Sequence, residues 1–203
     1  MRGLDIIPPL VWVDQYEFDY KGMTDYYKDL FSEENLRDKP YQPTMTGDAI
    51  TSYLSNLNKQ PHKQKHNKDF NLWLNGHLID LFTKVYGYKE EVTRLIVTNS
   101  WSNKQKRSGK TRTHHHKTAD WVMNAYLNVP ENGGKLIVYP PNIDNNFAYE
   151  PRKIDVKTND VLVFPAWMYH ETEVSQSDED RVTMSYNINI DITSNDLMAN
   201  YLV

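Results

Sequence analysis

The tripeptide His114-His115-His116 holds three of the chain's seven histidines, within the stretch THHHKTADWVMNAYLNVP that begins at Thr113. In an extended segment side chains alternate faces, so His114 and His116 share one face and His115 points away. Residues two apart on a strand lie roughly 6.5–7 Å apart along the backbone, close enough for two imidazoles to converge on one ion. A third ligand must come from elsewhere. The candidate in the strand-rich half is His170, which follows the apolar run DVLVFPAWMY. Neutral imidazole is a good ligand for iron, zinc, copper or nickel, so His114, His116 and His170 point to a metal centre. The competing reading of the triplet is a polar tract that continues the loop KQKRSGKTRT before it.

Arg181 opens the alternating run RVTMSYNINI. At the start of such a strand it is expected to face the same cavity and to grip a carboxylate with its planar fork. An arginine facing a sheet interior is costly without an anionic partner. Its alternative is a surface ion pair with Asp178, Glu179 or Asp180, which is worth little.

These side chains need elements to hold them. VWVDQYEF reads as a short strand, and MTDYYKDLFSEENL as a helix with Thr24 as N-cap. TGDAITSYLSNLNKQ offers a second helix, with Ile50, Leu54 and Leu57 at helical spacing, and the polar stretch Lys59 to Lys68 an exposed loop. DFNLWLNGHLIDLFTKVYGY is the clearest helix, with a stripe of Phe70, Leu72, Trp73, Leu78, Leu81 and Phe82 and a C-terminal cap at Gly87. Beyond Val92 the pattern changes to short strands: TRLIVTNSWSNKQ, DWVMNAYLNV, KLIVYP, KIDV, DVLVFPAWMYH and RVTMSYNINI. Glu131-Asn132-Gly133-Gly134 is a hairpin signal between two of them. The result is an α+β, mainly β chain: a sandwich or jelly roll with N-terminal helices bracing one sheet. It is expected to form a single domain over 1–203, with supporting elements in 1–91 and the core in 92–195.

Composition narrows the function classes. Hydrophobic residues are 39% and charged residues 25% of 203, ordinary for a globular chain. The net charge of −4 offers no broad basic face, which argues against general nucleic-acid binding. With no cysteine, disulfides, thiolate zinc sites and cysteine nucleophiles are excluded, and a cytoplasmic setting is expected. The start MRGLDIIPPLVWV lacks the uninterrupted apolar region of a secretory signal, and no run is long enough to span a membrane. His62 and His66, four apart, suit a zinc pair but lack further ligands nearby, so an exposed loop is expected there. His77 is expected to pack on its helix. The basic run Lys104 to Arg112 either meets an acidic substrate at the site mouth or is a solvated loop.

The order His-x-His, distant His, then Arg resembles the iron(II)- and 2-oxoglutarate-dependent oxygenases, and is especially similar to a group of small oxygenases frequent in phage genomes. The similarity runs from about Asn99 to Ile190. It rests on Trp101-Ser102-Asn103, His114-His115-His116, Tyr126-Leu127, Gly133-Gly134, Asn159-Asp160, Phe164-Pro165-Ala166-Trp167, His170 and Arg181-Val182-Thr183. Asn159 stands where the group has glycine, a mild change because asparagine tolerates a left-handed turn. The resemblance implies a double-stranded β-helix (jelly roll) with Fe(II) bound by His114, His116 and His170. It further implies 2-oxoglutarate as cosubstrate, its far carboxylate held by Arg181 and Thr183 with Tyr126 and Asn124 lining the pocket, and O2 as oxidant. Hydroxylation of a small-molecule or peptide substrate is the implied reaction, and a virus-encoded enzyme acting in host cytoplasm the implied setting.

Two departures stand out. Most of the superfamily carries a carboxylate where His116 stands, so this site keeps the full charge of its metal. The small residues and proline that follow the motif elsewhere are replaced by HKTADWVMN, which implies a different substrate. Two other readings remain at this level. One is a cupin-like three-histidine metalloenzyme that uses no 2-oxoglutarate, and the other an inert jelly-roll binding module. The segment Asn142 to Glu150 and the turn before it are expected to shape substrate choice.

Overall fold

A computed structural model describes residues 10–36, 44–53, 57–88, 93–140 and 150–192. Antiparallel strands dominate. The strands are β1 (Trp12–Gln15), β2 (Met45–Thr46), β3 (Ala49–Thr51), β4 (Thr93–Gln105), β5 (Lys110–Thr111), β6 (Trp121–Asn128), β7 (Leu136–Tyr139), β8 (Arg152–Ile154), β9 (Asp160–Pro165), β10 (Tyr169–Thr172) and β11 (Arg181–Ile192). The helices are α1 (Thr24–Leu30), α2 (Glu33–Leu36) and α3 (Lys68–Lys84). A six-stranded major sheet runs β1-β9-β6-β11-β4-β3, and a three-stranded minor sheet runs β10-β7-β8. This is the expected jelly roll, helices on one face.

Alternation along β11 divides the molecule into layers. Val182, Met184, Tyr186 and Ile188 join the helix residues Tyr27, Leu30, Phe70, Leu74, Leu78 and Phe82 in one hydrophobic cluster. Arg181, Thr183, Ser185 and Asn187 point the other way, into the space between the sheets. β6 repeats the division, with Met123, Ala125 and Leu127 toward the helices and Tyr126 in the inter-sheet cluster with Leu136, Val138, Leu162 and Phe164. Each side chain's destination follows from the period of two.

Several local expectations are corrected. The stripe of α3 is Phe70, Leu74, Leu78 and Phe82, while Leu72 is 64% exposed. At about 100° per residue Leu72 sits roughly 200° from Phe70, on the opposite face. Trp73 and Leu81 pack partly against the core. Val85 is the C-cap of α3, its N–H donating to the Leu81 carbonyl at 3.0 Å, and Gly87, at φ +74, lies two residues beyond it. Met23 is the N-cap of α1. The Thr24 hydroxyl instead donates to the Lys21 carbonyl at 2.8 Å, satisfying a turn rather than a helix N–H.

TGDAITSYLSNLNKQ is not the expected α-helix over its described residues, where only Leu57–Lys59 forms a short 3-10 turn. Gly47, at φ +62, makes a turn between β2 and β3, and β3 pairs with β4 through Ala49 opposite Gln105. The β-branched Ile50 and Thr51 suit an edge strand, and pairing outweighs their helical spacing. Leu54 lies outside the described residues. The stretch Lys59 to Lys68 contains short 3-10 turns at Pro61–Lys63 and Lys65–Asn67 rather than plain loop. The Glu131–Gly134 turn exists, with Asn132 at φ 59 and Gly134 at φ 87, but its flanking strands do not pair. It carries the chain from β6 in the major sheet to β7 in the minor one. Asn159 adopts the expected left-handed conformation, φ 76.

Candidate active site

The histidine segment meets β10 directly. His114 N–H donates to the His170 carbonyl at 3.0 Å and His170 N–H returns the bond at 2.9 Å. The His116 N–H is held by the Ala166 carbonyl at 2.9 Å. These backbone bonds place the rings 4.3 Å apart for His114 and His170, and 5.2 Å apart for the other two pairs. One ligand nitrogen from each lies within 4.8 Å of the others. His115 turns away, as alternation requires, and packs on Tyr169 at 4.5 Å.

Each ring is oriented through its Nδ1. His114 Nδ1 donates to the Arg112 carbonyl at 2.8 Å, His170 Nδ1 to the Met168 carbonyl at 3.0 Å, and His116 Nδ1 to Asn187 Oδ1 at 2.6 Å. Oxygen acceptors require a proton on Nδ1, which leaves the Nε2 lone pairs for the centre. His116 Nε2 is buried without a hydrogen-bond partner among the described residues. Burial lowers the pKa of all three imidazoles, to about 4 for His116 and well below the ordinary value for His170. Repulsion from neighbouring histidines, His115 in each case, lowers them further. The rings are therefore neutral near pH 7, the form that binds a cation.

Across the cavity Arg181 is 2% exposed. Its Nη1 donates to Gln105 Oε1 at 2.8 Å, while Nε and Nη2 have no hydrogen-bond partner among the described residues. The Tyr126 ring lies 5.2 Å beneath the guanidinium. Burial raises the Tyr126 phenol to about 12, with Arg181 opposing the rise. The surface ion-pair alternative fails, because Asp178 pairs with Arg107 at 2.6 Å and Asp180 with Lys106 at 3.7 Å. A buried cation with free N–H groups calls for an anion from outside.

The space between these groups is a cavity of about 610 Å³. His114, His116, His170, Arg181, Thr183 and Tyr126 all line it. Asn124 lines it too, with its Oδ1 accepting from the Ser185 hydroxyl at 2.7 Å. The free imidazole nitrogens fit a divalent metal, and the half-satisfied guanidinium fits a carboxylate.

Sequence reasoning missed several neighbours. Asn187 shares the parity of Arg181 and Thr183 on β11, so alternation alone would have flagged it. Gln105 gives no such signal, since its place opposite Arg181 depends on long-range register. Tyr53 and Trp101 form an edge-to-face pair at 4.9 Å beside His116. The other histidines fall outside the site. His62 Nδ1 lies 2.7 Å from the Ser100 hydroxyl, His66 packs on Tyr26 at 4.6 Å, and His77 packs on Trp73 at 4.2 Å. The basic run is largely spent on the ion pairs above and on Lys110 with Glu171 at 2.8 Å. Of the stretch Asn142 to Glu150, residues 142–149 lie outside the described residues.

Residues 99–187 match the family model described as "Putative 2OG-Fe(II) oxygenase". No curated protein matches the chain in sequence. Among solved structures, it is similar to a 2OG-Fe(II) oxygenase family oxidoreductase from Burkholderia pseudomallei, with 14% identity, 89% and 85% of the two chains covered and a TM-score of 0.59. A Pseudomonas putida prolyl-4-hydroxylase gives 9% identity, 89% and 92% coverage and a TM-score of 0.57. A Trichoplax adhaerens prolyl hydroxylase, in complex with a hypoxia inducible factor oxygen degradation domain peptide fragment, gives 13%, 88% and 83%, and 0.55. These likenesses establish the fold. With the family match and the three-imidazole cluster, they make the chain similar to the iron(II)- and 2-oxoglutarate-dependent oxygenases. The family match covers a little under half of the chain and contains the three histidines and Arg181.

Proposed function

We propose that His114, His116 and His170 hold Fe(II), that Arg181 with Thr183 takes the far carboxylate of 2-oxoglutarate, and that the chain hydroxylates a small-molecule or peptide substrate. When bound, iron and 2-oxoglutarate supply the oxidation: one oxygen atom of O2 leaves in succinate, formed with CO2, and the other goes to the substrate. The chain's residues do the rest. Arg181 orients the dicarboxylate through its free Nε and Nη2 groups, and Thr183 lies on the same strand face. Tyr126 packs beneath the guanidinium, while Phe164, 4.9 Å from His170, helps keep water from that ring. Asn124 forms wall and spacing.

The observation that carries this reading is buried Arg181, whose Nε and Nη2 have no hydrogen-bond partner among the described residues. A cosubstrate-free three-histidine enzyme has no use for it. Anaerobic addition of Fe(II) and then 2-oxoglutarate is expected to produce a visible charge-transfer band, absent in His170→Ala. Arg181→Ala should need far more 2-oxoglutarate to reach it. Iron binding with no band in the unsubstituted protein would overturn the assignment and favour the inert module. We also take the chain to be one domain, because the helices and β11 share a single hydrophobic cluster. The lack of cysteine supports a cytoplasmic setting, and no helix among the described residues is long and apolar enough to cross a membrane.

A further inference from the structure

Gln105, 1% exposed, sits opposite Arg181 in the pairing of β4 with β11. Its carboxamide is fully committed. Nε2 donates to the Thr111 hydroxyl at 2.7 Å and the Thr172 hydroxyl at 3.2 Å, leaving Oε1 for Arg181 Nη1 at 2.8 Å. Arginine can only donate, so its bond fixes which way the amide faces. The Thr172 hydroxyl also accepts the Thr111 N–H at 2.9 Å. Thr172 lies on β10 two positions after His170, so this network ties the arginine to the strand carrying a metal-binding candidate.

A glutamate here would have nearly the same shape, yet it would neutralise the guanidinium from within. The neutral amide engages one N–H and leaves Nε and Nη2 without hydrogen-bond partners among the described residues. We propose that Gln105 is a positioning residue for cosubstrate selection: it fixes the Arg181 fork while withholding a counter-charge, so that the dicarboxylate supplies it. This rests on the assignment of Arg181 to the far carboxylate.

The test compares Gln105→Glu, Gln105→Leu, Thr172→Val and Arg181→Met with the unsubstituted protein. Mn(II) binding is measured first by calorimetry. The Mn(II)-loaded proteins are then titrated with 2-oxoglutarate and with 2-oxopentanoate, in which a methyl group replaces the far carboxylate. Gln105→Glu is expected to cut the preference for 2-oxoglutarate by about tenfold or more, without weakening 2-oxopentanoate. It should also unfold at a higher temperature than the unsubstituted protein when no ligand is present, since the buried cation gains a partner. Gln105→Leu should cut the preference about tenfold and unfold at a lower temperature. A purely structural glutamine would lower both unfolding temperatures and leave the preference alone. If Arg181→Met loses the preference while both Gln105 variants keep it, this inference is overturned and the Arg181 assignment stands. If Arg181→Met keeps it, both fall. Should a Gln105 variant fail to bind Mn(II), Thr172→Val, which releases one anchor of the amide, is expected to reduce the preference; an unchanged preference there overturns the inference.

Discussion

The three imidazoles differ in what steadies them, and the difference can be tested. His114 and His170 lean on backbone carbonyls, whereas His116 leans on the Asn187 side chain at 2.6 Å. Asn187→Leu removes that acceptor and frees the ring to rotate or change tautomer. Metal affinity is expected to fall about 10–100-fold, as measured by Mn(II) titration. His116 also sets a pH dependence. Its pKa is held down to about 4 in the folded chain, against 6.5 ordinarily. Between those values the unfolded chain binds more protons, so the metal-free protein gains stability as pH rises through the window. Below it the penalty is complete, and above it absent. Denaturant unfolding in a chelator at pH 5 and pH 7 should show this rise, and His116→Gln should reduce it, the remainder coming from His114 and His170, whose pKa values burial also lowers. An unchanged slope in that variant would mean that His116 contributes nothing to it.

Elements carry the second scale. One face of β11 serves stability and the other serves the cavity, so substitutions on the two faces should separate. Phe82, 0% exposed and packed on Trp121 at 5.0 Å, anchors α3 to the helix-facing side. Phe82→Ala is expected to cost about 3–5 kcal/mol of stability in urea unfolding. Leu72→Ala, on the exposed face of the same helix, should stay within about 0.5 kcal/mol. Thr183→Val, on the cavity face of β11, should weaken 2-oxoglutarate binding several-fold while leaving Mn(II) affinity and urea unfolding close to unchanged. Comparable stability losses for Phe82→Ala and Leu72→Ala would contradict the layer assignment.

At the scale of the whole molecule, the inter-sheet cavity gathers groups that cost stability when unliganded. Buried neutral imidazoles and a guanidinium with two nitrogens unpartnered among the described residues all face it. Ligands that bind only the folded chain raise its stability by mass action, by about 2.7 kcal/mol at a hundred times the dissociation constant. Mn(II) and 2-oxoglutarate together should therefore raise the unfolding temperature more than Mn(II) alone. In Arg181→Met the second increment should vanish, as followed by calorimetric melting.

How much of this was legible depended on range along the chain. The spacing His114-x-His116 with His170 and Arg181, the strands after Val92 and the parity that sends Thr183, Tyr126 and Asn124 to one side are properties of neighbouring residues. Local alternation writes them into the sequence. The partners of those groups are another matter. Gln105 meets Arg181, Asn187 meets His116, and the turn at Glu131–Gly134 changes sheets instead of closing a hairpin because of strand register across the fold. Ile50 and Thr51 became an edge strand for the same reason, with β4 offering a pairing edge that local spacing does not encode. Residue types and period chose the chemistry, and long-range hydrogen-bond register, settled only when the sheets pack, decided which groups hold it in place.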